Sequence, residues 1–195
     1  TSVFGVKEAY DEGDADFHTI VAKMANIPRT AAKTINLGLF YGMGKAKLQA
    51  ELGVSKDKAE ELFNIYHSRV PFVKSLMNSV SNRAQRRGQI RTLLGRLCRF
   101  HLWEPNQFGI HKALPFDEAR AEYGPGIKRA YTYKALNKLI QGSAADMTKK
   151  SMLDLYKEGI VAHIQIHDEL DISVESPEQA KKIVEIMENA VKLEI

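Results

Sequence analysis

The chain has 195 residues, 44% of them hydrophobic and 27% charged, which is ordinary for a globular protein and allows one domain or two small ones with a real core. Its net charge of +4 permits a polyanionic partner without requiring one. A lone cysteine, Cys98, rules out an intrachain disulfide and suits a reducing compartment; no apolar run reaches the length of a membrane span and no signal-peptide pattern opens the chain, so a cytoplasmic location is expected.

Taken in order, the apolar spacing is helical from Asp16 to Arg87. Pro28 suits the first turn of a helix starting near Arg29, which Gly42 and Gly44 end. Gly53 ends a second, short helix, Ser55 is a good N-cap for a third, and Pro71 stands near the start of a fourth. Residues 89–92 and 97–101 flank Gly95-Arg96 and predict a hairpin. Residues 102–126, with prolines at 105, 115 and 125, read as a mostly irregular insertion with a short helix near 116–122. A long helix is expected over 127–157, then strands over 161–166 and 170–174 joined at His167-Asp168-Glu169, then an amphipathic helix over 180–191. The class is α+β, mostly helical first, with a small antiparallel sheet at the end. The start at Thr1 without Met, and the stop at Ile195 soon after a helical run, lead us to expect that both ends are cuts in a longer protein.

Three segments carry chemistry. In the first, Arg29, Lys33, Leu37 and Tyr41 are each four apart, so on a helix they form one stripe roughly 18 Å long, about the reach of a nucleoside triphosphate. Two cations at the N-terminal end, where the helix dipole also favours anions, suit phosphates, and an apolar side chain and an aromatic farther on suit a sugar and a base. An amphipathic helix with surface cations is the plainer alternative. Gly38 inside this helix, at a typical cost of about 1 kcal/mol, argues that something approaches closely there. In the second segment, Asp168 and Glu169 at a tight connection present oxygens together, as Mg²⁺ requires; a solvated turn is the plainer alternative. In the third, Asn137 and Gln141 share a helix face and both can donate to minor-groove acceptors, while Gly142-Ser143-Ala144-Ala145 lets the backbone approach a neighbour. Between residues 83 and 99, Arg83, Arg86, Arg87, Arg91, Arg96 and Arg99 occur with no acidic residue among them.

In this order, the three segments resemble the motifs of family A (DNA polymerase I-like) DNA polymerases: the fingers "O helix", the palm helix ending Gln-Gly-Ser-Ala-Ala-Asp, and motif C, His-Asp-Glu. Asp16-Phe17-His18-Thr19 and Thr92-Leu93-Leu94-Gly95-Arg96 agree with the same family, and the short gap from His18 to Lys33 is closer to its phage replicative members than to bacterial repair enzymes. The resemblance implies fingers over residues 1–128, including a hairpin and insertion over 88–126, and a partial palm over 129–195. It implies DNA synthesis by two-metal nucleotidyl transfer from dNTPs to a primer-template, in a bacterial host cytoplasm for a phage enzyme. Arg29 and Lys33 would hold the triphosphate, with His18 near the same phosphates and Lys33 also placed to neutralise the leaving pyrophosphate. Leu37 would face the incoming sugar and Tyr41 the nascent pair or template base. Asp168 would ligate Mg²⁺, with Glu169 as a weaker ligand. His167, Asn137 and Gln141 would touch the primer terminus and minor groove, and the arginine run, Arg96 within it, would meet template phosphates.

Two departures stand out. The second metal-binding aspartate of the family, in motif A, is absent, so the chain alone is expected to be inactive. Leu37 stands where the family usually has Phe or Tyr. Single-subunit phage-type RNA polymerases share the Lys-to-Tyr-Gly pattern but carry His-Asp-Ser, against which Glu169 argues. A non-catalytic nucleic-acid-binding module is the rival from another class.

Overall fold

A computed structural model of the chain describes His18, Thr19, Ala22, Lys23 and residues 27–69, 71–107, 109 and 111–193. Asp16 and Phe17, which belong to one of the stretches quoted above, lie outside the described residues. The chain divides into two compact units. One runs up to Arg86 and includes Tyr131–Leu136; the other comprises Arg87–Ala130 and the chain from Asn137 onward. No described helix is long and apolar enough to cross a membrane.

The first unit is helical: α1 (Arg29–Phe40), α2 (Lys45–Leu52), α3 (Lys56–Arg69) and α4 (Pro71–Arg87, whose last residue falls to the second unit). The punctuation is as the sequence predicts. Pro28 precedes α1, Gly53 ends α2 in the left-handed region at φ 62°, and the Ser55 hydroxyl accepts the Lys58 N–H at 3.2 Å to cap α3. Ala32, Ile35 and Leu39 of α1 are buried with Leu48, Leu62, Tyr66 and Val73, and together they form the core of this unit. The close approach expected at Gly38 is real, but it is made from within the chain. A methyl group there would run into the Met43 side chain, and the Met43 N–H donates to the Gly38 carbonyl at 2.7 Å.

The second unit opens with a hairpin of β1 (Gln89–Arg91) and β2 (Leu97–Arg99), in register Gln89↔Arg99, Ile90↔Cys98 and Arg91↔Leu97. Gly95 turns it at φ 86°. The insertion is more ordered than its prolines suggest. Strand β3 (Trp103–Pro105) pairs with β4 (Ile127–Arg129), and α5 (Phe116–Tyr123) lies where a short helix was expected. The Trp103 ring meets Phe116 in a T-shaped contact, centroids 5.0 Å apart, and the Arg129 guanidinium lies over it, 4.5 Å from its centroid.

The long helix therefore starts later than expected. Residues 127–129 are taken by β4, Tyr131 is left-handed at φ 61°, and α6 spans Ala135–Lys157 after a single 3₁₀ turn, Thr132–Lys134. The spacing after Ile127 is helical, but pairing with a distant strand overrides it. The last two strands are also shorter than expected: β5 (Ile164–Ile166) pairs with β6 (Glu169–Asp171), which places Glu169 in the ladder rather than in the connection. Helix α7 (Pro177–Asn189) follows, with the Ser176 hydroxyl accepting the Gln179 N–H at 3.2 Å and Pro177 in its first turn.

The β1–β2 turn is fastened to one stretch of α6. The Leu93 N–H donates to the Ser143 hydroxyl at 2.9 Å, and that hydroxyl donates to the Leu139 carbonyl at 2.7 Å. Gly142 makes the approach possible, because a Cβ there would lie 2.8 Å from the Thr92 methyl and 3.2 Å from an Arg96 guanidinium nitrogen.

Candidate functional site

Within the first unit, α1 buries Ala32, Ile35, Asn36 and Leu39, spaced three and four apart, and this turns the opposite stripe outward. Arg29 and Lys33 are exposed, Leu37 is 47% exposed, and Tyr41 is half-buried where the helix ends. His18 meets the buried face, with its Nδ1 3.1 Å from the Asn36 amide nitrogen. The four stripe residues share a surface as their spacing predicts, and His18 is tied to the same helix.

Within the second unit, a cleft of about 600 Å³ is lined by Gln141, Ala144, Ala145 and Thr148 of α6 and by Gln165, His167 and Asp168 of the β5–β6 hairpin. Asn137 is exposed one turn before Gln141 on α6. The turn itself is strained: His167 is left-handed at φ 53°, and its carbonyl accepts from the Gln165 side-chain amide at 2.6 Å. Ile164, Ile166, Glu169 and Asp171 share one face of this hairpin, since directly paired residues project together, and all four are exposed. Asp168 lines the cleft whereas Glu169 is not among its lining residues, although the two are adjacent in sequence. The two were expected to present oxygens together; Asp168 lines the cleft and Glu169 stands in the ladder.

Arg96 makes a close ion pair. Its Nε donates to Asp146 Oδ1 at 2.6 Å and its Nη2 to the Gly142 carbonyl at 2.8 Å. The Arg96 side chain is 45% exposed and that of Asp146 only 7%. Burial pushes the Asp146 carboxyl up, but the nearby Thr92 hydroxyl, the Arg96 hydrogen bond and the charges of Arg96 and Lys149 outweigh it and hold the group below the usual carboxylate range. Arg83, Arg86, Arg87, Arg91 and Arg99 are exposed.

A family model described as DNA polymerase family A matches residues 5–195. The chain belongs to DNA polymerase family A. Among its relatives, the DNA-directed DNA polymerase of Pseudomonas phage M6 is 30% identical over 219 residues, covering 95% of this chain and 30% of that protein. The thermostable DNA polymerase I of Thermus aquaticus is 30% identical over 204 residues, covering 95% of this chain and 22% of that protein. Among solved structures, the POL domain of Pol1 from M. smegmatis, in complex with DNA primer-template and dNTP, superposes with a TM-score of 0.73 at 28% identity, covering 97% of this chain and 34% of that one. The chain thus spans about a third or less of the length of these family members.

The donor set bears on the metal that the family implies. Among the described residues no group of three or more His, Cys, Asp or Glu side chains could hold an ion. Mg²⁺ is usually held by one or two carboxylates, with waters and substrate phosphates completing its shell, and an exposed Asp168 at the cleft suits that partial role. The residue that the sequence reading left without a role is Asp146. A lone carboxylate on a helix stretch of small residues was the available signal, since acids are rarely buried unless paired.

The lowered Asp146 carboxyl has a definite pH consequence. A depressed folded-state value stabilises the fold above the ordinary 3.8 of an aspartate, and that contribution is lost as pH falls through the lowered value. Asp146→Asn is therefore less stable than the parent sequence at pH 7, with the difference narrowing below about pH 4. Urea midpoints of the two forms between pH 7 and 3 check this; a gap that stays constant throughout contradicts it.

Proposed function

We propose that this chain is part of an enzyme of template-directed DNA synthesis, which joins a dNTP to a primer 3′-hydroxyl and releases pyrophosphate. The observation that carries the reading is the shared cleft of Gln141, His167 and Asp168 in a chain of family A. The likeness to a polymerase domain solved with DNA primer-template and dNTP supports the same partners here. Fingers over residues 1–128 and a partial palm over 129–195 remain the proposed functional division, whereas the compact units part near Arg86, with Tyr131–Leu136 belonging to the first. Such an enzyme of a phage or bacterium works in the bacterial cytoplasm.

The roles follow from chemistry and exposure. Arg29 and Lys33 pair with the triphosphate, and Lys33 neutralises charge on the departing pyrophosphate. His18 stands near the same phosphates, and Tyr41 stacks by the nascent pair or template base. Asn137 and Gln141 donate to minor-groove acceptors, which every base pair presents, so they test pair geometry rather than sequence. His167 touches the primer terminus. Asp168 would hold Mg²⁺ with its partner aspartate supplied by a motif outside this chain, and Glu169, in the ladder, is the weaker ligand. Ions held there would supply charge stabilisation for phosphoryl transfer. Arg96 and the other exposed arginines lend positive charge for template phosphates.

Asp168→Ala in the full-length protein lowers single-nucleotide incorporation by several orders of magnitude while primer-template affinity stays within a few-fold. A matching loss of DNA affinity would mark Asp168 as structural and remove the reading's main support. Leu37 offers an independent check of the triphosphate stripe. It has neither the hydroxyl that compensates for a missing 3′-hydroxyl nor a ring to fix the sugar, so the protein discriminates against dideoxynucleotides. Leu37→Tyr raises dideoxynucleotide use strongly, and any overpacking by the new ring is read from the variant's melting temperature. Equal selectivity of the two forms shows that residue 37 does not meet the sugar.

A further inference from the structure

We propose that Asp146 is a positioning residue for Gln141, acting through Arg96 and the β1–β2 turn. The inference rests on the reading of Gln141 at the minor groove and names a residue to which that reading gives no role. Gln141 stands beside Gly142, in a stretch where α6 is poorly provided with side-chain packing: Gly142, Ser143, Ala144 and Ala145 follow one another. Glycine in a helix interior is about 1 kcal/mol less favourable than alanine, so this turn has little stiffness of its own. Stiffness is supplied from outside. Arg96 bonds both the Gly142 carbonyl, at 2.8 Å, and the Asp146 carboxylate, at 2.6 Å, while Ser143 receives the Leu93 N–H at 2.9 Å. These bonds span the helix turn that directly follows Gln141, and Gln141 itself stays exposed at the cleft.

The asymmetry of the pair supports positioning over plain surface stabilisation. An exposed ion pair leaves both partners in water and contributes little. Here Asp146 is 7% exposed, so its carboxylate depends on the Arg96 guanidinium, whose second contact is the backbone of this same turn. The planar fork of arginine reaches the carboxylate and the carbonyl at once, which a lysine ammonium does not reproduce.

The test is a double-mutant cycle in the full-length protein, reading kcat/KM for single-nucleotide addition at saturating primer-template, with melting temperatures recorded alongside. Asp146→Asn and Gln141→Ala each lower kcat/KM by about tenfold, and the double variant falls no further than either single one. Multiplicative losses in the double variant overturn the proposal and leave the role of Gln141 standing. A silent Gln141→Ala overturns that role first, and the proposal with it. Should Asp146→Asn fail to fold, Arg96→Lys takes its place in the cycle, since it keeps the charge and removes the fork; the same non-additivity is expected and multiplicative losses again overturn the proposal.

Discussion

The ion pair between Arg96 and Asp146 is the constraint that fixes the β1–β2 turn against α6 in the second unit. It joins a hairpin turn to a helix 50 residues further along the chain, and it does so with one partner buried. A buried carboxylate is tolerable only when it is paired and hydrogen-bonded, so the contact demands close approach of the two elements. That demand explains Gly142, whose missing side chain leaves room for Thr92 and Arg96, and Ser143, whose hydroxyl receives the turn's backbone. With one side of α6 committed to the hairpin, Gln141 remains exposed at the cleft it shares with His167 and Asp168.

The first unit solves a different problem by simpler means. Helix α1 buries an apolar stripe and leaves two cations, a leucine and a tyrosine on the other side. Gly38 serves that packing: the Met43 side chain fills the space beside it. Each unit thus presents exposed side chains from a helix that is packed elsewhere along its surface.

Local chemistry was legible in the sequence wherever a single residue decides the outcome. Pro28, Gly53, Ser55 and Gly95 act through their own backbone or side chain, and the helix limits and hairpin turn that they predict are found. Pairings between distant segments were not legible. Trp103-Glu104-Pro105 looks irregular because proline removes a ladder donor, and its partner, residues 127–129, has helical spacing, so the β3–β4 ribbon was missed from both sides. The stripe on α1 could be read from period alone, because helix geometry fixes it. Asp146 could not, because its importance lies in a contact that no periodicity encodes. Asp168 and Glu169 stood out as neighbouring carboxylates at a connection and the resemblance added a role for His167, whereas the place of Glu169 in the ladder needed the register of the hairpin.

The central claim is that the exposed face of α6 and the β5–β6 turn together meet the end of a primer. Photo-crosslinking tests it most directly, with a primer-template whose 3′-terminal nucleotide carries a photoreactive base, bound to the full-length protein. The account predicts adducts at Asn137, Gln141 and His167, suppressed by unlabelled primer-template. Adducts confined to other elements, such as α5 over Phe116–Tyr123, with none on α6 or the turn, would contradict it.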